Sequence, residues 1–396
     1  MLICYIHDNL VSISGMRSQT MIQNLSSAVS LCPEKLLLEA NLPPLHFVQD
    51  IDLTTNLPEN FIFLFNHLAP LLTSENKSIK MSSYELLTKV AKNCKFEDPD
   101  SESETLQIPQ RLIEVIKKGD TLLDSLLHEF KIGEVAGPIP AGTVAHHITT
   151  GYLLAWKIVL VFLNAAGDEL GPKYTEYLKS EKYFDKFLRH LFILIPPGEA
   201  KECKMLDFDM SIRSPATEKD IYRLACKCWM SVCQYLPAVA RQWWQYLDNT
   251  SKEAVEKLTS SVVTPALWVE EIKAINSAEK SDNMSVRVRE SVREVVTTYT
   301  IDEGSLELVV VLPANYPLTA VSVDTGKKVG VETALWRKWV LHLTTFLTYQ
   351  NGSILGGLNL WKQNVDKRFE GVEVRQKYTV CCIKMTLPLN NGSYFF

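Results

Sequence analysis

The sequence has 396 residues, enough for two or three domains around a sizeable core, and a net charge of −5. Its 46% hydrophobic and 22% charged residues are ordinary for a globular protein. The acidic balance excludes a global basic field that would draw the whole chain onto DNA or an anionic membrane.

Charge is uneven along the chain. Residues 1–280 hold 28 Lys and Arg against 35 Asp and Glu, whereas residues 281–396 hold 13 against 11. The carboxy-terminal part is therefore where a polyanionic partner is expected. The first residues, MLICYIHDNLVSIS, lack a basic n-region and carry Asp8 inside the apolar stretch, so they make a poor secretory signal.

Residues 1–262 read as helix after helix. Apolar residues recur on a helical period in 59–73, 82–94 and 121–132, and longer patterned segments follow at 171–193, 217–236 and 238–260. Pro and Gly mark the breaks, as in GEVAGPIPAG (133–142) and PPG (196–198). The acidic stretch 97–104 reads as a loop. The run 151–167 is too short to span a bilayer and holds Lys157, so it reads as a buried helix. Helical hairpins without a sequence repeat fit an irregular α-solenoid, each burying its apolar face on its neighbours. Met1 is expected to fall inside such a solenoid rather than at a cap, as in a fragment.

The texture changes near Thr264-Pro265. A helix over 265–278 precedes alternating runs at 284–289, 293–301 and 305–312, with Asp302-Glu303-Gly304 as a hairpin connection. A fourth strand is expected at 318–323, with the turn DTGKKVG after it. Two amphipathic helices close the region. In the first, Leu335, Trp339, Leu343, Phe346 and Leu347 share a face; in the second, Ile354, Leu358, Trp361, Val365 and Phe369 do. The predicted architecture is mostly α: a HEAT-like α-solenoid over 1–262, then an α+β domain over 263–371. That domain is a four-stranded antiparallel sheet with helices on one face.

Nine cysteines, at 4, 32, 94, 203, 226, 228, 233, 381 and 382, are odd in number and irregular in spacing, so they read as reduced thiols without a disulfide framework. Cys226 and Cys233 fall on one helical face and Cys228 on another, as small core hydrophobes. His146-His147, at a helix start, read as capping or solvated groups. Trp243-Trp244 read as packing between hairpins, with a partner-binding aromatic patch as the alternative. Asn351-Gly352-Ser353 and Asn391-Gly392-Ser393 read as turns. No phosphate loop, nucleophile elbow or HExxH is present.

The order α-β-β-β-β-α-α, with LPANYPL at 312–318, resembles the RWD domain, a relative of the ubiquitin-conjugating fold. Pro317 fixes the turn and restricts Tyr316 to extended geometry, so its ring is expected to lie against the sheet. A conjugating enzyme needs a thiolate soon after that turn. No cysteine occurs between Cys233 and Cys381, so the domain is expected to bind or position rather than carry a thioester. The run from NYPLTAVSV to FEGVE, ending at Glu373, is similar to the listerin family of ribosome-associated RING-type E3 ubiquitin ligases.

That resemblance implies a cytosolic, ribosome-associated protein of the ribosome quality control complex. It implies the large ribosomal subunit and the complex's other subunits as partners, with stalled nascent chains as substrate. In the family, a RING domain with Cys-x-x-Cys pairs follows at once. Here the sequence departs at Val374. Two adjacent cysteines, Cys381-Cys382, cannot supply the four ligands of one tetrahedral zinc, and a RING needs two such sites. The expectation is a truncated or alternatively spliced chain, with 372–396 a divergent tail in place of the RING. It would hold no cofactor and no metal site, zinc and the ubiquitin-conjugating enzyme being engaged only through the missing RING. A non-catalytic scaffold or adaptor is the alternative function. The basic residues Arg287, Arg289, Lys327, Lys328, Arg337 and Lys338 are either an ordinary solvated surface or a phosphate-contacting one, and the resemblance favours docking on ribosomal RNA. Lys327 and Lys328 are expected in the turn after the fourth strand.

Overall fold

The computed structural model describes residues 16–39, 57–94, 96, 108–134, 136–196, 206, 217–279, 281–301 and 304–385, with side chains given only up to 369. The acidic stretch 97–104 and the Asn391 turn lie outside the described residues. The chain divides into two compact units: Met1–Leu267 with Ala314–Thr319, and Trp268–Pro313 with Ala320–Phe396.

The first unit is helical. In chain order it holds α1 (Met16–Ser30), α2 (Glu34–Glu39), α3 (Glu59–Leu68), α4 (Lys77–Lys92), α5 (Gln110–Leu127), α6 (Val144–Ala165), α7 (Gly167–Ser180), α8 (Tyr183–Leu194), α9 (Lys219–Tyr235), α10 (Pro237–Tyr246) and α11 (Asn249–Leu258). A π-helical turn, Thr259–Val263, leads into α12 (Thr264–Ser277). Local chemistry sets the ends. The side chains of Asn76, Thr143 and Asp248 accept backbone N–H bonds at the starts of α4, α6 and α11, which offsets the unpaired donors of a first turn. Two of the long patterned segments are each a pair of helices. Lys182, at φ 59, divides 171–193 into α7 and α8, and the turn at Leu247-Asp248 divides 238–260 into α10 and α11. Pro70 likewise ends the 59–73 segment in a 3-10 turn.

The unit is built around α6. This helix packs against α4, α5 and α9, and its residues Tyr152–Leu154, Trp156 and Ile158–Leu160 have essentially no exposure. A helix apolar on all sides must be surrounded, and each fully buried large side chain contributes roughly 1.5–3 kcal/mol. By length and composition α6 could cross a membrane, and it is a largely buried core helix here. The expected buried run thus extends to the whole helix. Close approach is local: a Cβ on Gly119 of α5 would overlap the Tyr152 ring.

A polar network sits inside this core. Tyr152 donates to Asp120 Oδ1 at 2.8 Å and lies 3.2 Å from His190 Nδ1, while His190 Nε2 is 3.0 Å from Asp124 Oδ1. Lys186 donates to Asp124 at 2.8 Å. One phenolic proton thus faces two acceptors. Burial pushes the Asp120 carboxyl up to about 6, against the opposing Tyr152 bond. Burial lowers His190, against its bond to Asp124.

The second unit holds most of α12, then β1 (Met284–Arg289), β2 (Glu294–Ile301), β3 (Gly304–Val311), β4 (Ser322–Lys328), α13 (Thr333–Tyr349) and α14 (Ile354–Met385). The sheet is antiparallel in the order β1-β2-β3-β4. The register pairs Val295 with Val310 and Tyr299 with Leu306, so Val295, Tyr299, Leu306, Leu308 and Val310 form one buried face. Trp361 of α14 meets Tyr299 edge-on, and Asp366 accepts its hydroxyl at 2.6 Å. Trp336 of α13 donates to Thr325 of β4 at 3.1 Å. Trp336 was absent from the expected apolar stripe yet is 2% exposed. The last helix continues as backbone to Met385 rather than ending near 369.

Asp120 gives a pH test of the network. Its folded value lies above the ordinary carboxylate value, so its stabilising contribution is complete below about pH 4 and is lost as pH rises through about 6. Asp120→Asn keeps an acceptor for Tyr152 and cannot ionise. Relative to the parent, the variant should gain on the order of 2–3 kcal/mol between pH 4 and 7 in urea unfolding; a flat difference would show that Asp120 does not titrate in that window.

Candidate functional site

The Tyr-Pro turn is the segment after which the resemblance to the ubiquitin-conjugating fold implies a nucleophile. Tyr316-Pro317 is a cis peptide, and 314–319 packs as part of the helical unit. Thr264 Oγ1 donates to the Tyr316 carbonyl at 2.6 Å, and Arg241 Nε donates to the Pro317 carbonyl at 3.1 Å. Asn315 donates to Glu256 at 3.0 Å. Thr264 is fully buried, and Arg241, Asn315 and Tyr316 are nearly so. The carbonyls of Tyr316 and Pro317 are thus both gripped by helical side chains. Spacing gave no signal for Arg241 or Thr264, which lie 76 and 52 residues away in sequence.

The β4 segment departs from expectation too. The fourth strand is Ser322–Lys328, not 318–323. Leu318 and Val321 are buried in the approach to it. The residues DTGKK, expected as a turn, pair with β3 across a register shift between Leu306 and Leu308. Lys327 and Lys328 therefore lie on an edge strand. Gly326 makes this possible, because a Cβ there would overlap the Glu307 side chain.

The six basic candidates are exposed, but the sheet separates them. Arg287 and Arg289 stand on β1, on the face turned away from α13 and α14, and Arg289 pairs with Glu294 at 3.0 Å. Lys327 and Lys328 occupy β4 at the other edge, three strand spacings away, roughly 14 Å. Arg337 and Lys338 lie on the outward side of α13, opposite the buried Trp336, Trp339, Leu343 and Leu347. They form three small basic positions rather than one patch.

The remaining candidates are structural. Cys226, Cys228 and Cys233 are buried on α9, and burial pushes the Cys226 and Cys228 thiols up to about 12. Cys228 lies 3.4 Å from the Leu153 carbonyl of α6. Protonated, enclosed thiols are neither nucleophiles nor zinc ligands. Among the described residues no group of three His, Cys, Asp or Glu is placed to hold a metal, and the side chains of Cys381 and Cys382 lie outside the described set. Trp243 stacks on Phe192, and Trp244 donates to the Lys252 carbonyl. Asn351, at φ 56, makes the expected turn. His146 is not solvated as expected: it is 2% exposed, with Nε2 3.3 Å from the Thr217 carbonyl.

These features define a class: a HEAT-like helical region joined to an α+β domain of the ubiquitin-conjugating type, without a cysteine anywhere from 234 to 380. Residues 59–276 match the model described as "LTN1 family HEAT repeat region", and 284–368 match "Ubiquitin conjugating domain-like". The chain is 36% identical to the E3 ubiquitin-protein ligase listerin of Gallus gallus over 91% of its length, covering 21% of that protein. It is 33% identical to the Drosophila melanogaster listerin over 78% of its length, covering 19%. The Saccharomyces cerevisiae listerin is 33% identical over 56% of the chain, with 15% of that protein covered. The chain belongs to the listerin family. It spans 15–21% of the length of these curated relatives.

Two outcomes follow. Incubated with activating enzyme, ATP and ubiquitin, the chain should form no reductant-sensitive adduct; a thioester on any cysteine would show that a nucleophile exists. Thr264→Val keeps the shape of the side chain but leaves the Tyr316 carbonyl unpaired, and should cost about 1–3 kcal/mol in urea unfolding. An unchanged midpoint would mean that the clamp contributes nothing.

Proposed function

We propose that the chain is a docking portion of an E3 ubiquitin ligase of ribosome quality control. In this reading the helical region spans and the ubiquitin-conjugating-like domain docks on the large ribosomal subunit in the cytosol, beside the other subunits of the complex. Stalled nascent chains are the substrates, and ubiquitin comes from a conjugating enzyme held by a zinc-binding RING rather than from this domain. One observation carries the reading: a conjugating-type fold attached to a listerin-type helical region has no cysteine where such folds carry ubiquitin. With the thiolate gone, the fold retains a binding surface. Exposed Arg and Lys on three sides of it suit phosphate contacts, which position without reading bases.

The test is co-sedimentation of the chain with purified large ribosomal subunits over a salt series. Charge reversals are made separately at Arg287 and Arg289, at Lys327 and Lys328, and at Arg337 and Lys338. Each phosphate contact adds a slope of about −0.7 to −0.9 to log K against log salt. The expected result is salt-sensitive binding whose slope falls by about one to two in the pair or pairs that face the ribosome. The Arg289–Glu294 pair should make the β1 reversal the mildest of the three. No binding at low salt would overturn docking and leave a non-catalytic adaptor.

A further inference from the structure

Three helix starts meet at a small cavity in the helical unit. Lys77 and Lys80 lie in the first turn of α4, His146 and His147 in the first turn of α6, and Asp220 in the first turn of α9. All five line a cavity of about 40 Å3, together with Thr150, Met81 and, at an exposed position, Glu75. A single water needs about 10–15 Å3 on this measure, so the space fits a few waters or one small oxyanion. Each helix start carries a partial positive charge, although Asn76 and Thr143 already cap first-turn N–H groups of α4 and α6.

The lining holds two lysines and two carboxylates, Asp220 and the exposed Glu75, but neither carboxylate is paired with the buried Lys80. Lys80 is 3% exposed. Its Nζ lies 3.3 Å from His147 Nδ1, and no carboxylate among the described residues is within ion-pair distance of it. Asp220, the buried acid, is already committed: it accepts from the Thr217 backbone N–H at 3.0 Å and from the Thr217 hydroxyl, and lies 4.0 Å from Lys77. His146 is 2% exposed, with Nε2 on the Thr217 carbonyl and Nδ1 without a hydrogen-bond partner. Burial and then the neighbouring Lys77 push Lys80 down to about 8. Burial also lowers His146 and His147. A buried cation without a paired counter-charge is costly, so an anion beside Lys80 would be stabilising.

We propose that this cavity is an oxyanion site, taking phosphate or the phosphate group of a monoester between Lys77, Lys80, His146 and the three helix starts. Lys80 supplies the buried charge. With Nε2–H directed at the Thr217 carbonyl, His146 Nδ1 is an acceptor that an O–H of hydrogen phosphate can donate to, while the Thr150 hydroxyl already donates to the His146 carbonyl. Metal cations are disfavoured by the two lysines. Because the ligand touches α4, α6 and α9 at once, its binding ties together the helices that enclose the core.

The experiment is thermal unfolding and calorimetric titration of the chain with inorganic phosphate, against sodium chloride at matched ionic strength. Phosphate should raise the unfolding midpoint beyond chloride and give saturable heat. Lys80→Met should weaken phosphate binding at least tenfold, whatever its effect on the starting midpoint. Lys77→Gln, at the half-buried edge, should weaken it several-fold and serves if Lys80→Met does not fold. O-phosphoserine separates the two sources: competition with phosphate assigns a monoester site, and failure to compete assigns the free ion. Equal midpoints in phosphate and chloride, or full affinity in both lysine variants, would overturn the site.

Discussion

The helical unit depends on burying α6. Val144–Ala165 presents apolar side chains on all sides, and such a helix is stable in water only when neighbours cover every side. α4, α5 and α9 do so. This makes the unit less one-dimensional than a regular repeat array, in which each hairpin answers only to the next. The same constraint explains its polar interior. Tyr152 brings a hydroxyl into the core, and Asp120 and His190 must follow to satisfy it. His146 and Thr150, at the start of α6, carry polar atoms to the edge of the same core, where the cavity forms.

The second unit uses a different device. Its sheet has one apolar face, covered by Trp336 and Trp361 with polar ties to Thr325 and Asp366. The other face keeps mixed charge, including the Arg289–Glu294 pair. No cysteine from 234 to 380 is available to carry a thioester on this domain. Its exposed Arg and Lys stand on three separate sides of the domain.

The Tyr-Pro turn connects sequence pattern to tertiary fact. Pro317 makes the turn legible, and its rigid geometry presents two carbonyls in fixed directions. Thr264 and Arg241 receive them. Both are buried, so each lost bond exposes an unpaired group in a dry setting.

Much of the fold was legible in the sequence. Helical periodicity set the helical region, and alternation set β1 to β3, because backbone geometry imposes its own period on burial. The absence of cysteine between Cys233 and Cys381 is read directly from the sequence. Tertiary structure alone decided the rest. β4 was misplaced because Leu318 and Val321 are apolar for packing, while DTGKK forms a strand through pairing with β3 that short polar sequence does not announce. The basic residues looked like one surface because spacing along the chain says nothing about which sheet edge a residue reaches. The cavity was invisible for the same reason: Lys80, His146 and Asp220 come from helices far apart in sequence. Only the burial of α6 brings their starts together.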